Sequence, residues 1–125
     1  MSTATSNVWK NLTTVPGTPA GFTMRGAVPA GADGVEVMLE AWEAGTAEPP
    51  HSHPGDDMTV VIEGRMEVQF YVREGEELVA DGAPVVLSAG ETGYVSAGRI
   101  HEVRYVEACR LVYVHDRLFG FDAEK

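Results

Sequence analysis

Cysteine occurs once in the 125 residues, as Cys109, so neither an internal disulfide nor a C-x-x-C zinc knuckle is available. The thiol lies in the apolar run VEACRLVYV, where a buried structural role is expected and a reducing compartment suits it. Cations are scarce too. Against 19 Asp+Glu there are 9 Lys+Arg, a formal net charge of −10, and such a chain is repelled by nucleic acid and by anionic membranes. No apolar run approaches membrane-spanning length, and the start MSTATSNVWKN has no basic stretch followed by an apolar core, so no signal peptide is read and a cytoplasmic location is expected. The sequence also lacks a nucleophile–base pair, a phosphate-binding glycine loop and any convincing helical period.

What remains reads as short strands and turns. Val35 to Glu43, VEVMLEAWE, sets Val35, Val37, Leu39 and Ala41 on one face and Glu36, Met38, Glu40 and Trp42 on the other, the alternation of a half-buried strand. Further strands are predicted at Val8–Val15, Phe22–Ala27, Asp57–Ile62, Arg65–Val72, Leu78–Ala80, Pro84–Leu87, Thr92–Val95, Ile100–Val106 and Ala108–Val114. Glu63-Gly64 is expected to join Asp57–Ile62 to Arg65–Val72 as a hairpin, and Glu107 to join Ile100–Val106 to Ala108–Val114. Strands at this spacing, with turn signals between them, indicate a single all-β domain, a barrel or sandwich. The predicted organisation is an arm over residues 1–20 with a possible edge strand, a barrel over 21–116 and an apolar-rich tail over 117–125 that needs cover.

Gly45 to Gly64, GTAEPPHSHPGDDMTVVIEG, carries the chemistry. In extended chain the side chains of residues i and i+2 share a face, so His51 and His53 point together. Imidazole nitrogen is the commonest protein metal ligand, and with Asp57 nearby there are three donors for one ion. Pro49-Pro50 and Pro54-Gly55 bracket the pair and exclude a helix there. A further donor must come from elsewhere, and Gly90 to Tyr105, GETGYVSAGRIHEVRY, offers His101.

Together the two stretches resemble the cupin superfamily, in its small single-domain, cupin-2 type. The first cupin motif is roughly G-x5-H-x-H-x3-E-x6-G, matched by Gly45, His51, His53, Asp57 and Gly64, with Asp in place of Glu. The second, roughly G-x5-P-x-G-x2-H-x3-N, is matched by Gly90, Gly98 and His101, with Ser96 in place of the proline and Tyr105 in place of the asparagine. The resemblance implies a cupin-type double-stranded β-helix, or jelly-roll barrel, holding one divalent metal ion through His51, His53, Asp57 and His101. Iron, manganese, nickel, cobalt and zinc all suit such donors. Because aspartate is one methylene shorter than glutamate, Asp57 reaches the ion directly, reaches it through water, or falls short. Small cupins commonly pair, so a homodimer is expected by the same resemblance.

Tyr105 shares a strand face with His101 and Val103, where its hydroxyl can orient a substrate or donate a proton; a barrel-filling aromatic is the alternative. Arg99 and Arg104 are candidate binders of a substrate carboxylate, although Arg99 sits in a loop that points to solvent. His115 has no motif around it and is read as an ordinary histidine, while Trp42, Met58, Met66 and Phe70 are read as core. Two functions follow: an enzyme acting on a small oxygenated organic molecule chelated to the metal (by resemblance a dioxygenase, isomerase, cyclase or lyase), or a module that binds a metal or small ligand without turnover.

Overall fold

The computed structural model describes residues 12–27, 36–115 and 122–124. Eleven strands run through them: β1 (Phe22–Ala27), β2 (Glu36–Trp42), β3 (Ala47–Ser52), β4 (Asp57–Glu63), β5 (Arg65–Glu74), β6 (Glu77–Ala80), β7 (Val85–Ser88), β8 (Thr92–Val95), β9 (His101–Tyr105), β10 (Cys109–His115) and β11 (Asp122–Ala123). They form two antiparallel sheets, one ordered β1-β2-β10-β4-β8 and the other β11-β3-β9-β5-β6 with β7 also on β5. No helix among the described residues is long and apolar enough to cross a membrane.

Period-two alternation decides what each strand turns inward. In β2 the inward set is Met38, Glu40 and Trp42; in β10 it is Cys109, Leu111, Tyr113 and His115; in β9 it is His101, Val103 and Tyr105. The two sheets share one apolar core, to which Phe22, Trp42, Val61, Cys109 and Leu111 come from the first and Met66, Val68, Leu87, Val103 and Tyr105 from the second. Cys109 is buried, as expected for a structural thiol, and burial raises its pKa. Met58 departs from the core reading: it lies on the outward face of β4 and is 40% exposed.

The expected hairpins are not formed. β4 and β5 lie in different sheets, as do β9 and β10; β9 pairs with β3 and β5, and β10 with β2 and β4. From β2 to β5 and from β7 to β11 consecutive strands cross from sheet to sheet, because each carries one apolar face and facing sheets bury these faces together. The β6 and β7 strands flank the Asp81-Gly82 turn and both pair with β5. Of the predicted first strand, residues 8–11 lie outside the described part, while Thr13 pairs with Met24 through an isolated bridge. Leu118, Phe119 and Phe121 of the tail lie outside it too, but beyond them β11 pairs with β3.

Gly64 makes the crossing from β4 to β5 possible. Its φ is 92°, and a Cβ built there would stand 2.1 Å from the carbonyl oxygen of Ala108. Gly64→Ala therefore combines left-handed backbone strain with a backbone clash and is expected to cost roughly 2–5 kcal/mol. Gly75→Ala, at φ 64° with open space around the added carbon, is the matched control and is expected to cost about 1 kcal/mol. Urea unfolding of both variants measures the difference; equal losses would mean that the Ala108 contact does not constrain the crossing.

Candidate metal centre

His51 ends the central part of β3, His53 follows two residues later, and His101 opens β9. The ladder between β3 and β9 sets His51 directly opposite His101, with ring centroids 4.3 Å apart. His53 lies 4.8 Å from His51 and 5.3 Å from His101. Two loop contacts fix this arrangement: the Gly98 N–H donates to the His53 carbonyl at 2.9 Å, and the Ala97 N–H donates to Asp56 Oδ1 at 2.8 Å. The glycine-framed loop of the second motif is thereby stapled to the turn of the first. Asp56 serves the turn.

All three histidines are buried, and one potential ligand atom from each lies within 4.8 Å of those of the other two. Their tautomers follow from the neighbours. His51 Nδ1 is 2.6 Å from the Pro49 carbonyl and His101 Nδ1 is 2.8 Å from the Arg99 carbonyl; a carbonyl only accepts, so each Nδ1 carries the proton and Nε2 carries the lone pair. Burial lowers the pKa of His51 to about 3, helped by the nearby His101, and lowers that of His101 as well. Neutral, oriented imidazoles with inward lone pairs fit a divalent ion.

Asp57 approaches from the other sheet, on β4. It is buried, and its Oδ2 accepts a hydrogen bond from the Tyr113 hydroxyl at 2.8 Å. Its carboxylate does not join the set of mutually close histidine atoms. His115, read as ordinary, is fully buried opposite Asp57, with its ring 5.7 Å from His53 and 5.5 Å from Tyr113. The alternation Cys109, Leu111, Tyr113, His115 on β10 is the signal that leads there.

Of these groups His53, His101, Asp57 and Tyr113 line a cavity of about 250 Å³, together with Tyr105, Trp42 and others. Tyr105 does face it, stacked on Trp42 with centroids 4.3 Å apart, and Glu48 lines the same cavity. Glu40 and Glu48 are functional groups that the sequence reading passed over. Glu40 shares the inward face of β2 with two large apolar residues and accepts from Trp42 Nε1 at 3.0 Å. Glu48 is brought inward by a register shift in β3 between Glu48 and His51; a bulge changes the parity of a strand, so residues three apart reach the same side. Glu48 Oε2 stands 3.9 Å from His51 Nε2. Burial pushes the Glu40 carboxyl up to about 7, and burial together with the charge of Glu40 pushes Glu48 well above the usual range.

Residues 38–115 match the family model described as the cupin domain. No curated protein matches the sequence. Among solved structures, the polyketide cyclase RemF from Streptomyces resistomycificus superimposes with a TM-score of 0.73 at 18% identity, over 98% of this chain and 85% of that one. KdgF from Halomonas sp. gives 0.65 at 16% identity, over 86% of this chain and 88% of that one. An oxalate oxidase gives 0.64 at 23% identity, over 86% of this chain but 57% of the longer protein. At these identities the likeness is one of fold.

The raised pKa of Glu40 makes a pH-dependent prediction. Between about pH 4.5 and 7 the folded chain holds a proton on Glu40 that the unfolded chain has released, so this group's contribution to stability is complete below 4.5 and is lost as pH rises toward 7. Glu40→Gln keeps an acceptor for Trp42 and cannot ionise. The variant's stability relative to wild type is expected to rise by up to about 3 kcal/mol from pH 4.5 to 8, the free energy of a shift of that size. Urea midpoints of both proteins across this range measure it; a constant difference would refute the buried, proton-holding Glu40.

Proposed function

The chain belongs to the cupin domain family, and we propose that it is a metal-dependent enzyme acting on a small oxygenated organic molecule in the cavity beside the three histidines. One observation carries the reading: His51, His53 and His101 each bring a potential ligand atom within 4.8 Å of the other two, and two of them lie on the wall of a cavity with room for a ligand. His51, His53 and His101 would hold the ion, and Asp57, anchored by Tyr113 in the same cavity, is the fourth donor in this reading. A divalent ion held there supplies Lewis-acid polarisation of a substrate carbonyl or enol oxygen.

The remaining chemistry falls to the chain's own side chains. Tyr105 and Glu48 both line the cavity wall, and burial raises both pKa values. Such a pair can present a proton to a substrate oxygen without help from solvent. Phe70, Val103 and Leu111 close off part of the remaining wall with apolar surface, which limits water around a bound ligand. Arg99 and Arg104 take no part in this reading. Arg99 binds Asp81 and lies over the Phe70 ring, 4.5 Å from its centroid, and Arg104 lines a separate groove with Glu102 and Tyr71.

Titration of ion-free protein with Fe(II), Mn(II), Ni(II) and Zn(II), followed by elemental analysis, is expected to give one bound ion per chain. At a hundredfold excess over Kd, the ion should stabilise the fold by about 2.7 kcal/mol. His53→Ala and His101→Ala should abolish this gain, and Asp57→Asn should weaken binding about ten- to a hundredfold. Wild-type protein that takes up no ion and melts unchanged would remove the proposal. Stoichiometric binding without turnover of any oxygenated substrate would make the chain a metal-binding module.

A further inference from the structure

The part of β3 that carries His51 has little hold on β9. The two strands pair at Ala47 and Glu48, and after that only at His51, opposite His101. Pro49 and Pro50, in between, have no N–H to give. On its other edge the same segment is held by the end of the chain. β11 pairs with it through Asp122 opposite Ser52 and Ala123 opposite His51, and the Glu124 N–H donates to the Pro50 carbonyl at 2.9 Å. Pro50, His51 and Ser52 thus all have partners in residues 122–124, whereas of these three only His51 is paired with β9.

The tail also reaches past β9. Glu124 Oε1 lies 3.0 Å from Nη2 of Arg73 on β5, and in the sheet β5 flanks β9 on the side away from β3. β9 starts at His101, which pairs with Phe70, three residues before Arg73. Residues 122–124 therefore tie together the two strands that flank β9, at the end where His101 enters it. One further contact holds the ligand-bearing segment, the Gly98 N–H on the His53 carbonyl at 2.9 Å. A segment with so few ladder bonds of its own opens locally unless its neighbours restrain it.

From this placement we propose that residues 122–124 are a clasp, which holds β3 against β9 and thereby sets how tightly His51, His53 and His101 retain a divalent ion. The proposal rests on the metal reading above. None of the three residues lines the cavity, so they are positioning residues that act through the backbone of β3. Donors that are loosely held must be ordered when the ion binds, and that ordering appears as lost affinity. Partners standing behind metal ligands are typically worth ten- to a hundredfold in affinity, and the lower figure suits a contact to one ligand strand. The ion pair adds less than the backbone contacts, because the Arg73 and Glu124 side chains are 36% and 25% exposed.

A chain ending at Phe121, and so without β11, tests the clasp. Its affinity for Zn(II), measured by competition with a chromophoric chelator, is expected to fall about tenfold, and EDTA should strip the ion correspondingly faster. In ion-free protein the Gly98 N–H, whose partner is His53 and not the tail, is expected to exchange with deuterium faster than in wild type. Urea unfolding separates positioning from general support. A tail that only stabilises the fold lowers the urea midpoint and leaves the Zn(II) affinity of the folded protein unchanged, and that outcome overturns the proposal. If the shortened chain does not fold, Glu124→Pro takes its place, since it removes the N–H given to Pro50. Glu124→Gln keeps that N–H and loses the charge, and is expected to stay within about twofold of wild type. Wild type that takes up no Zn(II) sinks the metal reading by itself; the clasp is then decided on Gly98, and equal exchange in both proteins overturns it.

Discussion

The pairing of β3 with β9 is the constraint on which the centre depends. It puts His51 opposite His101, and each ring is tethered in the same way, with Nδ1 against the carbonyl of the residue two positions earlier. A tethered imidazole has lost most of its rotational freedom before any ligand arrives, so less ordering remains for binding to impose. The second sheet then completes the enclosure. Asp57, Tyr113 and His115 come from β4 and β10, strands that pair with each other and not with β3 or β9. The centre thus exists only where two independently paired sheets face each other.

Burial acts in opposite directions on the two kinds of titratable group gathered there. It lowers the pKa values of His51 and His101 and raises those of Glu40 and Glu48. Both shifts lower the interior's charge, because an ion in a weakly polarisable medium costs more than its neutral form. Their effects on stability oppose each other across mildly acidic pH. Neutral histidines favour the fold as pH rises, and protonated glutamic acids favour it as pH falls. Asp57 has a different solution, with a phenol donating to its carboxylate.

The sequence made some of this visible and concealed the rest for physical reasons. The spacing of His51, His53 and His101 within glycine-framed motifs was legible, since extended chain forces i and i+2 onto one face and the turns need their glycines. Strand positions were legible from alternation, to within a residue or two at β2, β9 and β10. Sheet membership was not. Gly64 looks like a hairpin turn locally, and only the distant Ala108 carbonyl pressed against it shows that the chain is passing between sheets. Glu40 and His115 were hidden because alternation says which residues share a face, while only the facing sheet says that the face is a cavity wall. Trp42 was read correctly as buried, but its indole N–H on Glu40 makes it part of that wall as well.

Glu48 was hidden for a more instructive reason, which lies in Pro49 and Pro50. Neither proline has an N–H to give a neighbouring strand, so the β3–β9 ladder is interrupted between Glu48 and His51. The interruption changes the parity of β3 and turns Glu48 toward the same side as His51. The prolines' carbonyls still have partners: that of Pro49 takes the His51 ring, and that of Pro50 takes the Glu124 N–H beside β11. A regular strand at this position would direct Glu48 and His51 to opposite faces and could engage the Pro49 carbonyl in the ladder. The double proline therefore does more than exclude a helix, because one local break in pairing both admits a carboxyl to the cavity and provides the acceptor that orients the first histidine.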